Sequence, residues 1–133
     1  MGPNSFVGTW SLVSCEVRSE GGQLSYPWGR SPRGYIMYTA DGYMSVSTTG
    51  TEESAPEGSE SGGPRRTYMS YCGRYEVRDG SVIHHIEVSM NPAWEGTSPV
   101  RLFEFADNQL FLRSPPVVHQ GVQQVASLIW KRV

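Results

Sequence analysis

His84, Arg101 and Tyr75 are the residues whose chemistry stands out against their surroundings. In the run Val82-Ile83-His84-His85-Ile86-Glu87-Val88-Ser89-Met90, strand alternation places Val82, His84, Ile86, Val88 and Met90 on one face. That face is apolar apart from His84, so it is expected to be the inner one. An inward imidazole, titrating near neutrality, suits a general acid/base. In Val100-Arg101-Leu102-Phe103-Glu104-Phe105, two phenylalanines share the face of Arg101. A guanidinium drawn inward with them would stabilise an enolate or carboxylate, as an oxyanion clamp does. Arg101 at the barrel mouth, snorkelling to water, is the alternative. Tyr75 lies on the same face as Tyr71 in strand 69–78, and its hydroxyl would donate to a carbonyl.

Each residue also has a structural reading. His84 would be a core histidine tied to Tyr or Glu, and Arg101 the far end of a buried ion pair. Glu16, on the Trp10, Leu12 and Ser14 face of the first strand, is a possible internal carboxylate. Neighbouring histidines on a strand diverge, so His84 and His85 cannot chelate one ion, and His119 falls in a Pro-rich loop. No metal site and no cofactor are expected, since no Cys/His cluster, P-loop or dinucleotide-binding glycine pattern is present.

The elements that must position these groups are strands. Alternation and β-branched or aromatic enrichment mark 6–18, 33–40, 43–48, 69–78, 81–90, 99–106, 109–113 and 124–132. Asp41-Gly42 and Asp79-Gly80 read as type I′ hairpin turns, and Asp107-Asn108 as a weaker version. At most a short turn of helix is expected around Arg65–Ser70. Eight short antiparallel strands in succession predict an all-β, single-domain fold over 1–133, an eight-stranded up-and-down β-barrel with a β-sandwich as competitor. The stretch from 49 to about 66 is acidic and rich in Gly, Ser and Pro, and reads as a flexible loop.

The 133 residues suffice for one core, and 38% hydrophobic with 11% aromatic content is that of a globular chain. The net charge is -2, and without residues 50–64 the remaining 11 basic and 9 acidic residues leave about +2. With no basic stripe, nucleic acid is not an expected partner. No apolar run is long enough for a membrane span, and the start does not read as a signal peptide. A cytoplasmic monomer or homodimer is the expectation, with Cys15 and Cys72 as reduced thiols.

Several motifs look familiar. Gly8-Thr9-Trp10 resembles the GxW signature of the lipocalin and calycin superfamily, and Leu128–Arg132 resembles its closing strand, whose arginine packs over that tryptophan. The hairpin Gly34–Met44, the strands Gly73–Val77 and Val82–Ser89, the Asn91–Gly96 loop and Val100–Glu104 resemble the lipocalin-like domain family. The resemblance spans nearly the whole chain except 49–66, where relatives have a longer, more helical segment. It implies a lipocalin-like ligand-binding barrel. Several members accompany natural-product biosynthesis and act as cofactor-free cyclases, isomerases or dehydratases.

Three functions follow as expectations. The preferred one binds a small lipophilic metabolite and isomerises, cyclises or dehydrates it, with His84, Arg101 and Tyr75 as catalytic groups. Tyr38, Tyr71, Trp94, Phe103, Phe105, Met90, Ile86 and Trp28 would line the site. The second is a non-catalytic carrier using the same pocket. The third is a domain whose interior is filled by its own aromatics.

Overall fold

The computed structural model describes residues 5–51, 66–119 and 121–133. Their strands, in chain order, are β1 (Gly8–Ser19), β2 (Leu24–Ser25), β3 (Arg33–Tyr38), β4 (Tyr43–Thr51) and β5 (Arg66–Arg78). They continue with β6 (Ser81–Ser89), β7 (Val100–Ala106), β8 (Gln109–Arg113), β9 (Val117–His119) and β10 (Val122–Arg132). The order is β1-β3-β4-β5-β6-β7-β8-β10, and β10 pairs back onto β1 from Trp10↔Arg132 to Ser19↔Gln124. Closure makes an eight-stranded antiparallel barrel and rules out the sandwich. It also removes the open edges a flat sheet would carry. The short β2 and β9 attach to β1 and β10. Among the described residues no helix is long and apolar enough to cross a membrane.

Two turns form as their residues dictate. Asp79-Gly80 has positive φ at both positions (25° and 82°), as does Asp107-Asn108 (50° and 63°). At Asp41-Gly42 only Gly42 is positive, so the expected type I′ turn is instead a three-residue loop between Thr39 and Tyr43. Both ends of the loop expected at 49–66 are strand instead. Thr49, Gly50 and Thr51 pair with Tyr68, Thr67 and Arg66, which replaces both the loop ends and the expected helical turn. Residues 52–65 lie outside the described residues.

Two β-bulges reset the inside–outside parity. In β1 the register shifts between Leu12 and Ser14, so Trp10 and Leu12 face the core, and after the shift Cys15 and Val17 do. Glu16 is thereby turned away from the interior and is no internal carboxylate. On β6, Gly73 sits opposite Ile86 and Cys72 opposite Val88, so Glu87 is the extra residue. Val82, His84 and Ile86 are buried as expected, whereas Val88 and Met90 emerge 60% and 61% exposed.

One end of the barrel is plugged. Phe6 is fully buried, with ring centroids 4.9 Å from both Phe103 and Phe105 and 5.1 Å from Tyr38. Edge-to-face pairs of this kind add about 0.5–1.5 kcal/mol each beyond area burial. The Trp10 indole donates to the Phe6 carbonyl at 2.9 Å, and the Arg132 guanidinium stacks 4.1 Å over the Trp10 ring. Arg132 also donates to the Val7 and Ser5 carbonyls, at 3.0 and 2.8 Å. Gly8 is required here, because its φ of 130° disfavours a side chain and a Cβ would lie 2.8 Å from Arg132 Nη1.

Candidate functional site

Beyond the plug the barrel holds a cavity of about 690 Å³. Its walls are Cys15 and Val17 of β1, Ile36, Val46, Met69, Ile86, Leu112, Ala126, Leu128 and Trp130. Its polar groups are Tyr71, His84 and Arg101, and its mouth is formed by Pro27, Trp28, Trp94, Thr97, Ser98 and Pro99. Volume and lining match small-molecule sites, which span roughly 300–1,000 Å³ and are mostly apolar with a few placed polar groups.

The mouth is held by backbone bonds. Past the short β6–β7 ladder, His84 N donates to the Pro99 carbonyl and Ile86 N to the Thr97 carbonyl, at 3.1 and 2.9 Å. Trp94 ends a short 3-10 turn, Pro92–Trp94, capped by Asn91, and its ring meets Tyr71 edge-on at 6.3 Å. A second hollow of about 500 Å³ shares Pro27, Trp28, Met69 and Trp94 with the cavity, and adds Tyr68, Ser70, Met90 and Asn91. It forms a vestibule outside the mouth.

His84, 2% exposed, is the centre of the polar end. Its Nε2 lies 2.7 Å from the Tyr38 hydroxyl and its Nδ1 2.8 Å from the Tyr71 hydroxyl. Burial, reinforced by the charge of Arg101 and by His85, pulls its pKa down to about 3. The imidazole is therefore neutral near pH 7, with one donor and one acceptor nitrogen, so the two tyrosines play opposite hydrogen-bonding roles. Burial drives the Tyr71 phenol up to about 12, against the opposing pull of Arg101, and drives Tyr38 well above its ordinary value. Cys15 is raised to about 11 by burial and then by Glu16, and both cysteines are unpaired.

Arg101 takes the inner position. Arg101, Phe103 and Phe105 are half-buried, whereas Val100, Leu102 and Glu104 are exposed. Its Nη1 donates to the Val100 carbonyl at 3.1 Å, and no carboxylate of the described residues lies within ion-pair distance.

The sequence expectations divide accordingly. His84, Arg101, Tyr71, Ile86, Trp94 and Trp28 meet at the cavity, and Tyr38 contacts it through His84. Tyr75 does not line it: its hydroxyl donates to the Thr39 carbonyl at 2.8 Å, and its ring packs on Tyr38 and Phe6. Phe103 and Phe105 belong to the plug, and Met90 to the vestibule, carried outward by the β6 bulge. Met69, Leu128, Ala126 and Cys15 were missed; alternation in β5 and β10 was the available signal for the first three, and the bulge in β1 hid Cys15. His85 points outward, bonded to Glu76 and Ser98 at 2.8 and 2.9 Å, so the histidine pair diverges.

A family model described as a lipocalin-like domain matches residues 7–133. A protein of Aspergillus oryzae named 4'-hydroxy-3'-methoxypropiophenone carrier protein is 32% identical over 77 residues, 51% of this chain and 69% of that protein. Among solved structures, an uncharacterized protein from Bacteroides eggerthii aligns at TM-score 0.49 and 14% identity, covering 96% of this chain and 99% of that one. A lipocalin-like protein from Bacteroides uniformis aligns at TM-score 0.46 and 13% identity, covering 96% and 98%.

Proposed function

The chain belongs to the lipocalin-like domain family, and on that premise we propose that it binds one small lipophilic aromatic molecule inside the barrel and carries it unchanged. The observation that supports this most is the cavity of about 690 Å³, walled by aliphatic and aromatic side chains with Tyr71, His84 and Arg101 as its polar end. Burial of an apolar ligand against such walls contributes about 25 cal/mol per Å² removed from water. The Aspergillus oryzae relative is named as the carrier of a hydroxylated aryl ketone, and that chemical class is the first choice here.

Catalysis by His84 has less support. Both ring nitrogens are occupied by tyrosine hydroxyls, and a base whose conjugate acid has a pKa near 3 takes few protons at neutral pH. Tyr75, the other expected acid/base group, is spent on the Thr39 carbonyl. Cofactor-free isomerisation, cyclisation or dehydration would have to run through Tyr71 and Arg101 alone.

The test is a fluorescence titration with N-phenyl-1-naphthylamine, a neutral aromatic probe. Wild-type protein is expected to bind one equivalent. Ala126→Trp places an indole in the cavity, where there is room to accept it without overpacking. It is expected to keep the far-UV spectrum and weaken the probe at least tenfold. Equal affinity in the two proteins would place the probe outside the barrel and refute the reading.

A further inference from the structure

The polar end of the cavity is electrically unbalanced. Among the described residues that line it, Arg101 is the sole charged group. Cys15, Tyr71 and His84 are the other titratable groups facing the space, from β1, β5 and β6, with Tyr38 of β3 behind His84. All four are neutral near pH 7. The bulge in β1 has turned away Glu16, the carboxylate the first strand offered as a partner. A half-buried guanidinium among apolar walls is costly to leave uncompensated, and it presents its donors in a fork that fits an anionic oxygen.

The hydrogen-bond pattern adds a second donor. Tyr38 is 2% exposed, and its hydroxyl contacts only the His84 Nε2 among the described residues. Were Nε2 protonated, the Tyr38 proton would be buried without an acceptor, a loss of about 1–3 kcal/mol. Tyr38 therefore donates to Nε2, and the His84 proton sits on Nδ1, where it donates to the Tyr71 oxygen. The Tyr71 proton is then left free, on a residue that faces the cavity. Chains of this kind polarise one another and strengthen the terminal donor.

We propose that the ligand carries an acidic oxygen and is held as the anion, with that oxygen taken by the Arg101 guanidinium and the Tyr71 hydroxyl. His84 is the positioning residue that aims the Tyr71 proton into the cavity. The proposal rests on the binding reading above. A phenol, an enol or a carboxylic acid would each supply the oxygen, and a phenol would release its proton to solvent on binding.

Two probes separate the sources, with 4-nitrophenol for the phenol and cinnamate against cinnamyl alcohol for the carboxylate. Bound to wild-type protein, 4-nitrophenol is expected to ionise about one pH unit or more below its free value, a tenfold preference for phenolate. Cinnamate is expected to bind at least tenfold more tightly than the alcohol at pH 7. Either result supports the proposal and names the source. Arg101→Met should move the bound phenol's titration to or above its free value, and Tyr71→Phe should move it part of the way. His84→Leu, which takes away the donor to the Tyr71 oxygen, should also raise it, but not in the Tyr71→Phe background, because its effect passes through Tyr71. A purely structural His84 would give the same increment in both. If 4-nitrophenol titrates in wild-type protein at or above its free value and cinnamate holds no advantage, the proposal is overturned. Binding of N-phenyl-1-naphthylamine in that same protein would leave the binding reading standing; its failure to bind would remove that reading as well.

Discussion

Gly73→Ala is expected to cost about 3 kcal/mol or more and to leave little folded protein at ambient temperature. A Cβ at Gly73 would lie 1.9 Å from the His85 carbonyl oxygen and 3.0 Å from Glu87 N. Both are backbone atoms of the neighbouring strand, so no rotamer change relieves the overlap. The two strands must separate at the bulge that lets β6 bury His84 and Ile86 and then turn Val88 outward. Gly21→Ala is the matched control, since nothing lies within 4 Å of its Cβ position, and its effect should stay within about 0.5 kcal/mol. Urea denaturation of both variants checks this. A Gly73→Ala protein as stable as wild type would mean that the bulge is not formed as described.

The second large effect is on acid stability. Burial holds the folded pKa of His84 down at about 3, against an ordinary value of 6.5. Between these values the unfolded chain binds a proton that the folded barrel does not, so stability rises with pH across this window and falls on acidification. The slope approaches about 1.4 kcal/mol per pH unit for one proton. His84→Gln retains one donor and one acceptor between Tyr38 and Tyr71 but cannot titrate. Between pH 6.5 and 4.5, wild-type protein should lose roughly 2 kcal/mol more than His84→Gln, which subtracts the contribution of the surface carboxylates. Urea melts across the window measure it, and parallel curves would show that His84 takes up its proton in the folded state.

These effects also mark where the sequence was legible. Strand identity was, because alternation along 81–86 and the Asp79-Gly80 turn report the backbone directly. The same period put Phe103 and Phe105 inside, whereas for Arg101 it left the inner position and the barrel mouth both open. Two physical features were hidden. A bulge shifts every later residue by one, so Val88, Met90 and Glu16 exchanged faces, and the only outward sign at β6 was a glycine within the strand facing it. Alternation also tells inside from outside but not one end of a barrel from the other. Tyr75, Phe103 and Phe105 are inside, yet they sit at the end plugged by Phe6, whereas Tyr71, His84 and Arg101 sit at the end left open. The ends of β4 and β5 were masked by their composition, since Gly, Ser and Thr read as loop there although they pair in the ladder.

The central claim, that the interior receives the ligand, is tested most directly by methyl NMR during a titration with 4-hydroxyacetophenone. Val46, Ile86 and Leu128 line the cavity, whereas Val88 and Val118 are 60% and 72% exposed on the outer surface. The account predicts saturable one-to-one ring-current shifts at the first three, with the outer two unmoved. Shifts confined to Val88 and Val118 would contradict it.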